Sequence, residues 1–268
     1  TTPGWHTTYL SEHYGIASRE CGSVAPVLAH WRRGPEKVDN IHDLSTLMLS
    51  AGANGQFKRS AGFFGSLHHE NSVLALRVLR APGRGWPVRN GEVRSLHSSL
   101  ALVAFGDTSG REVWVNDRRV EALSGARKDP GGSWEKRLSS AGAKVSARDG
   151  DVIAIRDGVS YVGVVPVSAH TPERKRQAQI SFEYPVLLIH SYVYDAEEAM
   201  DADAFYGREE VPTSGFAIRM GDASQDGSFA EFRREMMDSR PRTEWDGDRR
   251  ILRVAWEAGD DSLEMGFR

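Results

Sequence analysis

Gly150-Asp151-Val152-Ile153-Ala154-Ile155-Arg156-Asp157-Gly158-Val159-Ser160-Tyr161-Val162-Gly163-Val164 holds two short apolar runs, split by Asp157-Gly158. Asp-Gly between such runs is a strong hairpin signal, because a two-residue turn that matches the twist of its strands needs residues tolerant of positive φ. A second pair, Asp149-Gly150, stands just upstream. The segment from Lys144 to Val167 is therefore expected to give three short strands in succession, a β-meander.

The same grammar runs outward in both directions. Towards the C-terminus, Thr243 to Trp245, Ile251 to Trp256 and Ser262 to Phe267 read as a closing three-stranded meander, broken by Asp246-Gly247-Asp248 and Gly259-Asp260-Asp261. Gln177 to Asp195 reads as two strands or one bent strand, with Pro185 implying an edge or a bulge because proline cannot donate to a ladder. Val93 to Phe105 is a strand, and Arg111 to Asn116 alternates cleanly before turning at Asn116-Asp117 into Arg118 to Val120. Towards the N-terminus, strands are expected at Thr7 to Leu10, Tyr14 to Arg19, Val27 to Arg32, Leu44 to Leu49, Gln56 to Phe64 and Ser72 to Leu79.

One helix interrupts this pattern. Ser228 with Glu231 three residues on forms a capping box, and Phe229, Phe232 and Met236 share one face at helical spacing. The fold class expected is all-β, an antiparallel β-sandwich or large supersandwich, with one short capped helix near residues 228–237. Residues 1–268 are expected to form a single sandwich domain. The chain opens at Thr1 without a methionine or signal-peptide regions, so it is also expected to be processed, trimmed or cut from a longer multidomain protein.

A net charge of -3 argues against a surface that wraps nucleic acid, which needs a clustered positive field. Cys21 is the only cysteine, so neither an intrachain disulfide nor a cysteine metal cluster can form. Apolar stretches such as Ser99 to Phe105 fall far short of the roughly 20 residues of a membrane helix, so no membrane span is expected. Only six of the 34 basic residues are lysine. That bias suits forked recognition of carboxylate or sulfate, and it suits a GC-rich genome equally.

The densest polar cluster is His68-His69-Glu70-Asn71. On a strand His68 and Glu70 would share a face, with His69 opposite, and His97 in a neighbouring strand would be free to converge on them. Such a group can supply acid/base chemistry, or it can be surface and hydrogen-bonded structural histidines. Trp86 in a Gly/Pro-rich loop and Tyr206 before Gly207-Arg208 are aromatics placed for sugar stacking, or rings folded back over the core edge. The acidic run from Asp195 to Asp203 shares only its charge with a calcium loop and reads as a solvated turn. No serine-hydrolase elbow, P-loop or dinucleotide fingerprint is present, and neither a metal site nor a cofactor is assigned.

Four stretches carry a resemblance. They are Thr8-Tyr9-Leu10-Ser11-Glu12-His13-Tyr14-Gly15, His68 to Leu76, Gly150 to Val164, and Gly215-Phe216-Ala217-Ile218-Arg219-Met220-Gly221-Asp222 followed by Gly227-Ser228-Phe229 and the Phe232 helix. In this order they resemble the β-sandwich module that follows an (α/α) toroid in heparinase II/III-like and related polysaccharide lyases. The resemblance implies a polysaccharide or oligosaccharide partner, a toroid domain or second chain, and a secreted or periplasmic setting. It also implies β-elimination at a uronic acid, in which a Tyr or His removes the C5 proton and an Arg, His or metal neutralises the carboxylate. By residue type, His68, His69, His97 and Tyr206 are the proton-transfer candidates, Arg59 or Arg208 the carboxylate holders, and Glu70 and Trp86 further substrate contacts. The alternatives are a non-catalytic carbohydrate-binding or assembly module, and a glycoside hydrolase. A hydrolase needs two carboxylates about 5 to 10 Å apart, and Glu70 is the one near the histidines.

Overall fold

The computed structural model describes residues 6–19, 27–32, 44–53, 56–58, 64–78, 91–104, 110–123, 142–171, 174–183, 185–206, 212–258 and 261–267. Within them the chain is an open, antiparallel, all-β structure with sandwich character.

Sheet 1 has nine strands. Eight of them run in the order β1 (His6–Leu10), β2 (Tyr14–Arg19), β3 (Val27–Arg32), β4 (Leu44–Ala53), β8 (Glu92–Ala104), β15 (Val186–Asp201), β14 (Ala178–Glu183) and β11 (Ala143–Ala147), and β5 (Gln56–Lys58) also pairs with β4. Sheet 2 has seven, in the order β10 (Arg118–Arg119), β9 (Glu112–Val115), β12 (Ile153–Asp157), β13 (Ser160–Ala169), β16 (Thr213–Asp222), β7 (Ser72–Val78) and β6 (Phe64–His69). Sheet 3 is the C-terminal meander of β17 (Arg242–Asp246), β18 (Ile251–Ala258) and β19 (Asp261–Phe267). Two helices, α1 (Ala202–Tyr206) and α2 (Phe229–Asp238), complete the described elements with a 3₁₀ turn at Glu121–Leu123.

Period-two alternation sorts the side chains into layers. Ile16, Trp31, Leu47, Leu49, Leu100, Leu102, Leu187 and Ile189 of sheet 1 pack against Val73, Val113, Ile155, Val162, Phe216 and Ile218 of sheet 2, forming the main core. The other face of sheet 2 presents Leu74, Leu76, Ala154, Val165 and Ala217 to Phe229, Phe232 and Met236 of α2 and to Leu252, Val254 and Trp256 of sheet 3. The expected capping box holds α2: Ser228 Oγ accepts from the Glu231 amide, and the Glu231 carboxylate accepts from the Ser228 amide. Among the described residues no helix is long and apolar enough to cross a membrane.

Three local expectations need correction. The β12–β13 hairpin does form there, although its two-residue loop is Gly158-Val159, with Asp157 ending β12 and Gly158 at φ 70°. Asp149-Gly150 does not close another, because β11 pairs with β14 in sheet 1 while β12 lies in sheet 2. Its polar groups bind outward instead: the Gly150 amide donates to Pro166 O at 2.9 Å, and Asp149 accepts from Ser168 Oγ at 2.6 Å. That turn is a corner between layers. Pro185 sits in the β14–β15 turn and so leaves β15 free to be a central strand, paired on both sides. Finally, Glu70 leaves the strand at φ 45°, so it does not share a pleat face with His68.

Candidate functional site

The centre of sheet 1 carries polar groups on the face turned away from sheet 2. Register places His97 opposite Tyr192 and Ser99 opposite His190 across β8 and β15. On β4, Gly52 and Ser50 lie beside His97 and Ser99, and Gln179 of β14 lies beside His190. The next positions along the same face are apolar and buried: Ala101, Val103, Val186 and Leu188. The face is therefore not solvated here as a rule, and its polar residues are not explained by solubility.

The rings converge. His97 and His190 meet edge to face with centroids 4.6 Å apart, and Tyr192 lies 5.3 Å from His97 and 5.9 Å from His190. His97 and Tyr192 are buried, whereas His190 keeps a partly exposed surface. The residue opposite His97 on β4 is Gly52, which contributes no side chain beside that ring. The Arg176 guanidinium sits 4.7 Å from the Tyr192 ring centroid, within cation–π range.

A β-bulge completes the arrangement. The pairing slips between Tyr192 and Tyr194, so that Tyr192 faces His97 but Tyr194 faces Leu96 and Asp195 faces Ser95. In an unbroken strand Asp195 would point towards sheet 2 with Ile189 and Ser191. The extra residue rotates it onto the face of His190 and Tyr192, where it takes both prongs of Arg176 at 2.7 and 2.8 Å.

Burial sets the protonation states. Burial drives the His97 imidazole well below its ordinary range, helped by His190, Arg77 and Arg176 nearby. His190 is lowered to about 4, by burial first and then by Arg176 and Lys144. Burial raises the Tyr192 phenol. At neutral pH the site holds two uncharged imidazoles and a protonated phenol within a positive surround. Asp195 is the carboxylate among these contacts, and it is engaged by Arg176.

The sequence-derived candidates divide. His97 lies at the centre of this site. His68 is elsewhere: its Nδ1 is 3.1 Å from Ser18 Oγ, on the sandwich-facing side of β2, and its Nε2 is 2.8 Å from Glu70 O. His69 and Glu70 are exposed at the β6–β7 turn, so this cluster belongs to the edge of sheet 2 and His97 does not join it. Tyr206 ends α1, and its side chain lies outside the described residues, as do Arg59, Trp86 and Arg208. The acidic run from Asp195 to Asp203 forms the end of β15 and the start of α1. Among the described residues no three His, Cys, Asp or Glu side chains are grouped to hold a metal.

His190, Tyr192, Arg176 and Ser99 were not singled out from the sequence. The available signal was the alternation Leu188, His190, Tyr192 within an apolar strand, where polar residues on a buried face call for a reason. No protein-family model, curated protein or solved structure matches the chain.

Proposed function

We propose that this chain is carbohydrate-active and polysaccharide lyase-like, carrying out β-elimination at a uronic acid, alone or as the sandwich part of a larger enzyme. The observation that carries this reading is the convergence of the His97, His190 and Tyr192 rings beside the Arg176 guanidinium. Elimination needs a base for the C5 proton, a proton for the departing glycosidic oxygen, and positive charge or N–H donors at the uronate carboxylate as it gains enolate character. His97 supplies the base, Tyr192 the proton, and Arg176 and Lys144 are cations on the same face of sheet 1. Hydrolysis would call for two carboxylates acting on one bond, and among the described residues this cluster offers Asp195, tied to Arg176. The test is to incubate the chain with polyuronates and with neutral polysaccharides and follow the ultraviolet absorbance of the unsaturated product. Growth with polyuronates that is lost in His97→Ala and Tyr192→Phe supports the reading, and equal silence on all of them in a folded protein refutes a self-sufficient lyase.

A second reading, as an assembly or binding module, draws on the other end of the same face. Leu10 is 76% exposed, beside a recess of about 420 Å³ walled in part by Gly15, Ala17, Leu28 and His30. An apolar patch of this kind on a sheet face suits contact with another domain. A folded chain that is silent alone and active with an added toroid domain would match it.

A further inference from the structure

A buried hydroxyl at the site is paired with one of its imidazoles. Ser99 is fully buried in the middle of β8, and its Oγ lies 2.8 Å from His190 Nδ1, the single hydrogen bond of that hydroxyl among the described residues. Ser50 Oγ donates to the Ser99 carbonyl at 3.4 Å and so does not compete for it.

This pair can be arranged in two ways, and their costs differ. If Nδ1 carried the proton it would donate to Ser99 Oγ, and the Ser99 hydroxyl proton would then have no acceptor among the described residues, in a buried place. An unsatisfied buried donor costs more than an unused lone pair on an oxygen that already has a partner. The satisfied arrangement has Ser99 donating to Nδ1. A neutral imidazole whose Nδ1 is an acceptor carries its proton on Nε2. Nε2 makes no hydrogen bond among the described residues, and His190 is the partly exposed ring of the three. The buried serine thus fixes which nitrogen of His190 bears hydrogen, and among the described residues that N–H is left without a partner.

We infer that His190, neutral and protonated on Nε2, is a hydrogen-bond donor to the carboxylate of the bound uronate, and that Ser99 is the positioning residue that fixes this tautomer. The inference rests on the elimination reading and deepens it, since it assigns the carboxylate to an imidazole N–H. Arg176 is already engaged on all three nitrogens, with Nε and Nη2 on Asp195 and Nη1 3.3 Å from Gln179 Oε1. A neutral donor also has a chemical advantage: it stabilises the charge developing on the carboxylate without adding a positive charge that would weaken the His97 base, whose ring centroid is 4.6 Å away. No proton changes hands at His190. Its N–H bond persists while the negative charge on the carboxylate oxygens grows and then collapses as the glycosidic bond breaks.

Two measurements test this, one of them independent of turnover. Nitrogen-15 NMR of the imidazoles in the full chain at neutral pH reports the tautomer directly. The expected result is His190 protonated on Nε2 in the wild type, mixed tautomers in Ser99→Ala, and recovery in Ser99→Thr. A proton on Nδ1, or no response to Ser99→Ala, overturns the assignment. Titration with glucuronate or galacturonate is expected to shift the His190 Nε2–H signal, and with glucose to leave it in place. Equal shifts with both sugars, or no shift with the uronates, overturn the carboxylate role. In turnover, Ser99→Ala is expected to lower kcat roughly tenfold with KM little changed, and His190→Asn roughly a hundredfold. Wild-type turnover that is insensitive to both variants defeats the inference and leaves the elimination reading intact. A wild type inactive on every polyuronate defeats that reading, while the NMR arms still decide the tautomer and the ligand.

Discussion

Asp195 and Arg176 are brought together by a slip in register. Asp195 reaches the Arg176 guanidinium with both oxygens because one extra residue in β15 turns it onto the outer face of sheet 1. Asp195 is buried while Arg176 is partly exposed, so the carboxylate is fixed and the cation is what it positions. Arg176 in turn lies over the Tyr192 ring. Asp195→Asn keeps the shape and removes the charge that grips the fork. It is expected to cost about 1 to 2 kcal/mol of stability and to release Arg176 from Tyr192. Equilibrium denaturation measures the first effect, and the Tyr192 titration measures the second. A variant as stable as the wild type, with an unaltered phenol, would show that the pair does not organise the site.

The histidines give a pH dependence with a definite sign. His190 is neutral when folded down to about 4, but an unfolded chain protonates it near 6.5. Between those values the unfolded state binds the extra proton, so stability is complete above about 6.5 and is lost as the pH falls towards about 4. His97 shifts the same way. Asp149 and Asp226, whose pKa values burial raises, act in the opposite sense. The measurement is therefore the difference between wild type and His190→Asn across this window. The variant is expected to lose the slope that His190 contributes, worth roughly 2 kcal/mol once its partial exposure is allowed for. Parallel stability curves for the two proteins would contradict the assignment.

A buried ion pair ties the layers together at another point. Asp157 Oδ2 accepts from Trp31 Nε1 at 3.1 Å, Ser45 Oγ at 2.5 Å and Arg111 Nη2 at 3.3 Å, and both charged side chains are nearly inaccessible. Removing the carboxylate leaves the Arg111 charge buried and uncompensated, which typically costs about 3 to 5 kcal/mol. Asp157→Ala is expected to lower the denaturation midpoint by that order. Arg111→Met, which removes the other charge and keeps the volume, is expected to cost less when combined with Asp157→Leu than either change does alone. Simple additivity in this double-mutant cycle would deny the coupling.

Strands and site were legible to different depths, for physical reasons. Strand existence is a local property, so the Asp157-Gly158 hairpin, the C-terminal meander and the α2 capping box all follow from neighbouring residues. Which layer a strand joins is decided by partners far along the chain, and Asp149-Gly150 shows the consequence: a hairpin dipeptide used as a corner. Site residues depend on both. His97 stood out as a histidine in a strand. Its partner Tyr192 is fixed by a register that no local pattern encodes, and Asp195 joins them only through a bulge that reverses its alternation. His68 and Glu70 looked like a pair by spacing alone, until the turn at Glu70 parted their faces.

Two glycines in adjacent strands of sheet 2 should respond differently to the same added methyl group. A Cβ on Gly215 would lie 2.0 Å from Ala75 O and 2.8 Å from Leu76 Cα, both backbone atoms of the neighbouring strand β7. Relief there requires the strands to move apart, against the ladder that holds them. A Cβ on Gly163 would meet Met236 Cε at 2.7 Å and its Sδ and Cγ at 2.9 Å, all in one flexible side chain of α2. Methionine has rotamers to spare, so this clash is relieved by repacking against the outer core. Gly215→Ala is expected to destabilise by about 3 kcal/mol or more, and Gly163→Ala by about 1 kcal/mol. Denaturation of the two variants under identical conditions makes the comparison. Equal losses would mean that α2 is held to sheet 2 as rigidly as β7 is held to β16, and that Met236 is a fixed part of the core.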